Sequence, residues 1–479
     1  MFLNDAGLSN IVIPKLKPIT FMKHLLSLFL LMVFNHAFTQ SPAYITTDKA
    51  IADIEQLIAT FENVHYNPYF KTSKKVINTI KDEQLSSWKN DSVPMRQFIG
   101  ICMKLTAMMS GGHSGMNWQH AKLIPEIKAH VYLPFTGKLV EEDGIFIVTK
   151  SGLSVIVPGM KIKSINGISV VKLFKECMAY SGGIDAYKIA NVERAFPVYL
   201  FFNDSLKAPY SIAIADSDEL FTTDGIRIAE LAKILNSSVK QVDYSFDILD
   251  NNIGLMAYNS SNNYKKFNQF LKATFKTIQA KHIDKLIIDI RANGGGNSSL
   301  NDLLLSYITT KPYQQASGRY WKVSEESKKA YANNKVYTKL FGKDFMVKYM
   351  KTPNQTVIVD LDSTGLVQPE KPPYYFTGKT CLLIGPSTFS SANFLADAVK
   401  TYQITTLIGS PTGEYTNDFG EQISFVLKNT KSEVNISSTY DIGANGNDSI
   451  MAPVYPDIEV ATDVLKYAMN WLENNAEKK

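Results

Sequence analysis

Cysteine is scarce in this chain: Cys102, Cys177 and Cys381 are the only three in 479 residues, far apart and without a C-x-x-C pair. That excludes a disulfide framework and a cysteine-built zinc or redox centre, and predicts reduced, buried thiols. Charge of one sign is equally thin, since 50 Lys and Arg face 45 Asp and Glu for a formal net charge of +5, with no long basic run. Nucleic acid is therefore not an implied partner. Beyond residue 34 there is no long apolar run, so no stable membrane span is expected in the mature chain. Nucleotide-binding fingerprints fail as well. The pattern G-x-G-x-x-G starting at Gly294 meets Ser299 where glycine is needed, and Gly378-Lys379-Thr380 has Pro373 where a phosphate-cradling loop needs glycine. No motif requires a metal or a cofactor.

What is present begins with an export signal. Met22-Lys23-His24 is a short basic start, Leu25 to Phe34 is apolar, and Ala37-Phe38-Thr39 supplies small residues before Gln40. Cleavage near Thr39 is expected, with residues 1–21 as an upstream leader and the mature protein periplasmic or extracellular; a retained membrane anchor is the alternative. At this length, with 45% hydrophobic residues, the chain can bury more than one core.

Periodicity divides the rest. Residues 41–121 read as a helical region, with Ile51, Ile54, Leu57, Ile58 and Phe61 on one face, ending in Gly111-Gly112-His113-Ser114-Gly115. Residues 122–225 form a β-rich module in which Asn166-Gly167 marks a hairpin. Over 226–479 strands alternate with helices, which predicts an α/β layer with parallel strands. The stretch 312–373, rich in Lys, Tyr and Gly, breaks that alternation and is expected to be a lid or an edge elaboration; a disordered insert is the alternative, against which aromatic residues such as Tyr320, Trp321, Tyr331 and Tyr349 argue.

Three positions carry chemistry. Ser390 lies where the apolar strand Thr380–Ile384 turns into a helix marked by Ala392, Leu395, Ala396 and Val399. Serine there is either an N-cap or a nucleophile, with the first helical N–H groups able to hold an oxyanion. The strand Leu286–Ile290 opens into Gly294-Gly295-Gly296, where bare backbone can converge on one point. His113, flanked by glycine, offers an imidazole that titrates near neutrality.

In this order, a G-H-S loop, Gly159-Met160-Lys161-Ile162-Lys163-Ser164-Ile165-Asn166-Gly167, Arg291-x-Asn293-Gly294-Gly295 and Thr388-Phe389-Ser390-Ser391-Ala392 resemble the tail-specific, or carboxyl-terminal-processing, serine peptidase family. The resemblance implies a multi-domain α/β fold: a helical N-terminal region, a PDZ-like β-rich module and a crotonase-like peptidase core of ββα repeats. It implies Ser390 as nucleophile, His113 as base as in the tricorn-like branch, an oxyanion hole from Gly294, Gly295 and Ser391, and a polypeptide substrate. The lysine branch of the family is not matched, because Gly409 to Asn417 holds no lysine. Two positions depart from the family pattern: Gly111 stands where an acid often precedes Gly-His, and the acid that orients the histidine is displaced to Asp448, with Glu421 as the other candidate. A non-catalytic relative that binds peptides or apolar ligands is the competing reading.

Overall fold

Apolar spacing builds the first layer. Helix α1 (Thr47–Val64) buries Ile54, Leu57, Ile58 and Phe61, and His65 closes it as a fully buried ring. Helix α2 (Lys74–Ser86) is capped by Ser73, whose side chain accepts from the Val76 N–H. Helix α3 (Met95–Met109) follows Pro94, buries Phe98, Ile99, Cys102 and Leu105, and stops at Ser110, which is extended. The computed structural model describes residues 43–236, 242–332, 335–361 and 365–474. The export signal and leader expected over 1–40 lie outside the described residues. Among those described, no helix is long and apolar enough to cross a membrane.

The β-rich module contains β1 (Phe135–Val140), β2 (Ile145–Ser151), β3 (Lys161–Ile165), α4 (Val170–Met178), α5 (Asp185–Leu200), β4 (Tyr210–Ile214) and β5 (Leu220–Thr223). Its sheet runs β1-β2-β3-β4-β5 with every pairing antiparallel. Asn166 and Gly167 turn the chain at φ 50° and 76°, and Ile165 pairs with Ile168 across them. Phe146, Phe174 and Phe196 join sheet and helices in one core.

The α/β core is built from β6 (Tyr244–Leu249), β7 (Ile253–Tyr258), α6 (Tyr264–Ala280), β8 (Lys285–Asp289), α7 (Ser299–Ile308), β9 (Ala316–Lys322), β10 (Val357–Leu361) and β11 (Lys379–Ile384). It continues through α8 (Ser391–Thr401), β12 (Thr406–Gly409), β13 (Gln422–Val426), β14 (Glu433–Ser437), β15 (Thr439–Gly443), β16 (Ile458–Glu459) and α9 (Val464–Asn474). The main sheet has the order β6-β7-β8-β11-β12-β16, parallel except for the edge strand β6. Period-two alternation explains the apolar runs. Leu286, Ile288, Leu382 and Ile384 face the core shared with α6 and α7, while Ile287, Cys381 and Leu383 face the one shared with α9. All three cysteines are free and buried.

The described residues of the 312–373 stretch form a packed layer. Strand β9 pairs with both β10 and β15, and Trp321, Tyr331, Tyr349 and Ile358 share a core with α1 and α3. What the topology does for function is simpler. Strands β8 and β11 are adjacent and parallel, with Asp289 opposite Leu383, so the turns leaving their carboxyl ends lie side by side.

Candidate active site

The turn after β11 is strained at one residue. Ser390 has φ 55° and ψ −126°, outside the regions a non-glycine residue prefers, and its side chain makes no cap hydrogen bond to α8. A serine selected as a helix cap would do the opposite on both counts. The neighbouring glycine turn holds it in place: the Phe389 N–H donates to the Asn293 carbonyl at 3.0 Å. The Thr388 hydroxyl donates to the Ile290 carbonyl at 3.1 Å. A Cβ on Gly295, where φ is 96°, would stand 2.5 Å from the Ser390 Cβ. Only glycine admits that approach.

His113 arrives on the loop that follows α3. Ser114 fixes this loop to β14 by accepting the Ser437 N–H at 3.0 Å. Lys71 Nζ donates to the Ser110 carbonyl at 2.6 Å. The imidazole packs on Phe389, the residue before Ser390, with ring centroids 4.6 Å apart. Both His113 and Ser390 line one cavity of about 300 Å³. The loop glycines have steric reasons: a Cβ on Gly112 would meet the Phe389 ring at 2.7 Å, and one on Gly111 would meet Asp418 Oδ1 at 2.7 Å.

The acid beside His113 is Glu414, within the lysine-free segment Gly409 to Asn417. Its Oε1 lies 2.9 Å from His113 Nδ1, at ion-pair distance but without the alignment of a hydrogen bond. Its Oε2 accepts the backbone N–H of Ser390. One buried carboxylate thus touches both loops. Burial alone would lower the His113 pKa, but the charge of Glu414, with Asp418 and Asp441 beyond it, lifts it to about 9. Asp418 is itself held protonated up to about 8, first by burial and then by Glu414. Asp418 fills the space beside Gly111.

The expectation that Asp448 orients the histidine is corrected. Asp448 is exposed, and its Oδ2 accepts from the Tyr320 hydroxyl at 3.0 Å. Glu421 does line the cavity, yet its Oε1 accepts from Arg319 Nη1 at 2.8 Å. Arg319 also pairs with Asp441.

The backbone donors divide unevenly. The Gly295 N–H is taken by Asn293 Oδ1 at 2.9 Å, so it is not open to a ligand. Among the described residues the N–H groups of Gly294, Gly296 and Ser391 donate to no acceptor, and Gly296 and Ser391 line the cavity. Asn293 is locked behind the turn by donating to the Tyr258 carbonyl at 3.0 Å. An unrecognised contributor from the β-rich module is Tyr187 of α5. Its ring stacks on Phe389 at 4.5 Å and 18°.

The sequence model of peptidase family S41 matches residues 252–460, which span β8, the glycine turn, β11, the Ser390 turn and Glu414. Among solved structures, mature CPAF matches with a TM-score of 0.60 at 13% identity, over 90% of this chain and 99% of its own. Mature CPAF complexed with lactacystin matches with a TM-score of 0.59 at 13% identity, over 89% of this chain and 97% of its own. The photosystem II D1 C-terminal processing protease follows at a TM-score of 0.39 and 12% identity, over 88% of this chain and 94% of its own. The two CPAF matches show a shared fold. No curated protein matches the sequence.

Proposed function

We propose that this chain, a serine-type peptidase that belongs to peptidase family S41, cleaves peptide bonds through Ser390, His113 and Glu414 acting together. The observation that carries the reading is the single carboxylate of Glu414 spanning the His113 ring and the Ser390 backbone. In the reaction His113 takes the proton of Ser390 Oγ as that oxygen attacks the substrate carbonyl. The negative charge that develops on the carbonyl oxygen is held by the N–H of Ser391 and by those of the glycine turn, Gly294 and Gly296. His113 then gives its proton to the leaving amine, and water, activated by the same ring, releases the acyl group. Glu414 keeps Nδ1 protonated and the ring aimed, a contact expected to align fully once substrate is bound.

Export through residues 1–40 is part of the same reading, supported by the basic, apolar and small-residue order of that segment. The β-rich module is read as PDZ-like, offering an extended peptide a place to dock beside the core. Hydrolysis of an unstructured polypeptide by the wild type and not by Ser390→Ala supports the assignment. Equal hydrolysis by the two proteins overturns it.

A further inference from the structure

A second cavity, of about 440 Å³, opens between α2, α3 and the α4–α5 connection. Its wall is apolar, formed by Ile80, Ala107, Met108 and Met178, and its charged lining is Lys71, Lys104, Lys188 and the single acid Glu176. Three lysines thus face one acid across this lining. Lys71 Nζ donates to the carbonyls of Ser110 at 2.6 Å and Gly183 at 3.0 Å, leaving one of its three N–H donors over. Lys104 lies over the Tyr180 ring, and Lys188 pairs with Asp185, a carboxylate that is 81% exposed. Glu176 is engaged with the Asn203 amide at 2.6 Å. Burial and the nearby Lys188 draw the Lys71 pKa down to about 8, against the opposing pull of Asp418 and Asp185.

We infer that this cavity binds an alkyl carboxylate, a fatty-acid-like molecule whose chain lies on the apolar wall while its head meets Lys71, Lys104 and Lys188. Size and lining suit it: the volume falls in the range of small-molecule sites, and a net positive rim on an apolar floor selects an anion with a hydrocarbon tail. The site is independent of the peptidase assignment, although Lys71 links it to the His113 loop through Ser110.

The test is isothermal titration calorimetry of the full chain with dodecanoate below its micellar concentration, beside dodecanol, which keeps the tail and loses the charge. One-to-one saturable binding of dodecanoate, at least tenfold weaker for dodecanol, is expected. The Lys104→Gln/Lys188→Gln double variant should bind dodecanoate at least tenfold more weakly. Absence of saturable binding, equal affinity for the two probes, or an unchanged affinity in a folded double variant overturns the inference. The comparison of probes on the wild type decides the matter even if the double variant does not fold.

Discussion

Glu414 reaches His113 with one carboxylate oxygen, 2.9 Å from Nδ1, and with its other oxygen accepts the N–H of Ser390. Removing its charge has two separable consequences. Glu414→Gln keeps the volume but no longer favours the Nδ1-protonated ring, so kcat/KM should fall by roughly 10³- to 10⁴-fold. It should also move the pH profile. In the wild type the imidazole pKa is lifted to about 9, so at neutral pH the ring is mostly protonated and cannot take a proton. The rate should therefore climb through pH 7 and 8, reach half its maximum near 9 and level only above it; in Glu414→Gln the plateau should begin at lower pH. Peptide hydrolysis measured from pH 6 to 10 checks both.

Gly295→Ala and Gly294→Ala form a matched pair. A methyl group at 295 would meet Ser390 Cβ at 2.5 Å on backbone with φ 96°, whereas one at 294 meets nothing within 4 Å. Both variants keep their N–H groups. The first should lose about 100-fold or more in acylation rate through displacement of Ser390, and the second should stay near wild type. Circular dichroism establishes that each is folded, and single-turnover kinetics reads the rates.

Tyr187 acts through Phe389. Its ring stacks at 4.5 Å on the side chain that also packs against His113 at 4.6 Å. Tyr187→Ala opens a void there and should cut kcat by roughly tenfold with KM little changed, while Tyr187→Phe restores the stacking and the rate. A fall in KM alone, or no rescue by phenylalanine, would assign the residue a different role.

Asp418 ties stability to pH. Its folded pKa is raised to about 8, well above the usual carboxylate value near 4, so between those values the native state keeps a proton that the unfolded chain releases. Stability from this group is full at acid pH and is lost as pH rises toward 8. His113 adds a loss of the same sign between its ordinary value of 6.5 and about 9. Asp418→Asn removes one titration, so its advantage in thermal midpoint over the wild type should grow from pH 5 to pH 8. Calorimetric scans at fixed ionic strength measure it.

Much of the site could be read in the sequence because it is local. Strand, turn and helix around Ser390 and strand and glycine turn around Asn293 are each encoded in one short continuous segment, and β8 and β11 bring them together. The mixed α/β architecture followed from the alternation of apolar runs. Glu414 was missed for the opposite reason. It meets Ser390 from 24 residues away and His113 from the far end of the chain, and no local pattern distinguishes a buried acid from a solvated one. The resemblance points to Asp448 as the displaced orienting acid, but the chain carries it to the surface beside Tyr320. The Gly295 donor failed on a side chain two residues earlier, since Asn293 bends back to claim it. The aromatic content of 312–373 argues for packing but does not say against what, because the core that Trp321, Tyr331 and Tyr349 join is shared with α1 and α3, far earlier in the chain.

The most direct test is the rate at which a fluorophosphonate acylates the intact protein, followed by mass spectrometry of the modified peptide. One adduct is expected, on Ser390, absent from Ser390→Ala and formed at least 100-fold more slowly in His113→Gln. Labelling of Ser390→Ala at the wild-type rate, or an undiminished rate in His113→Gln, would contradict it.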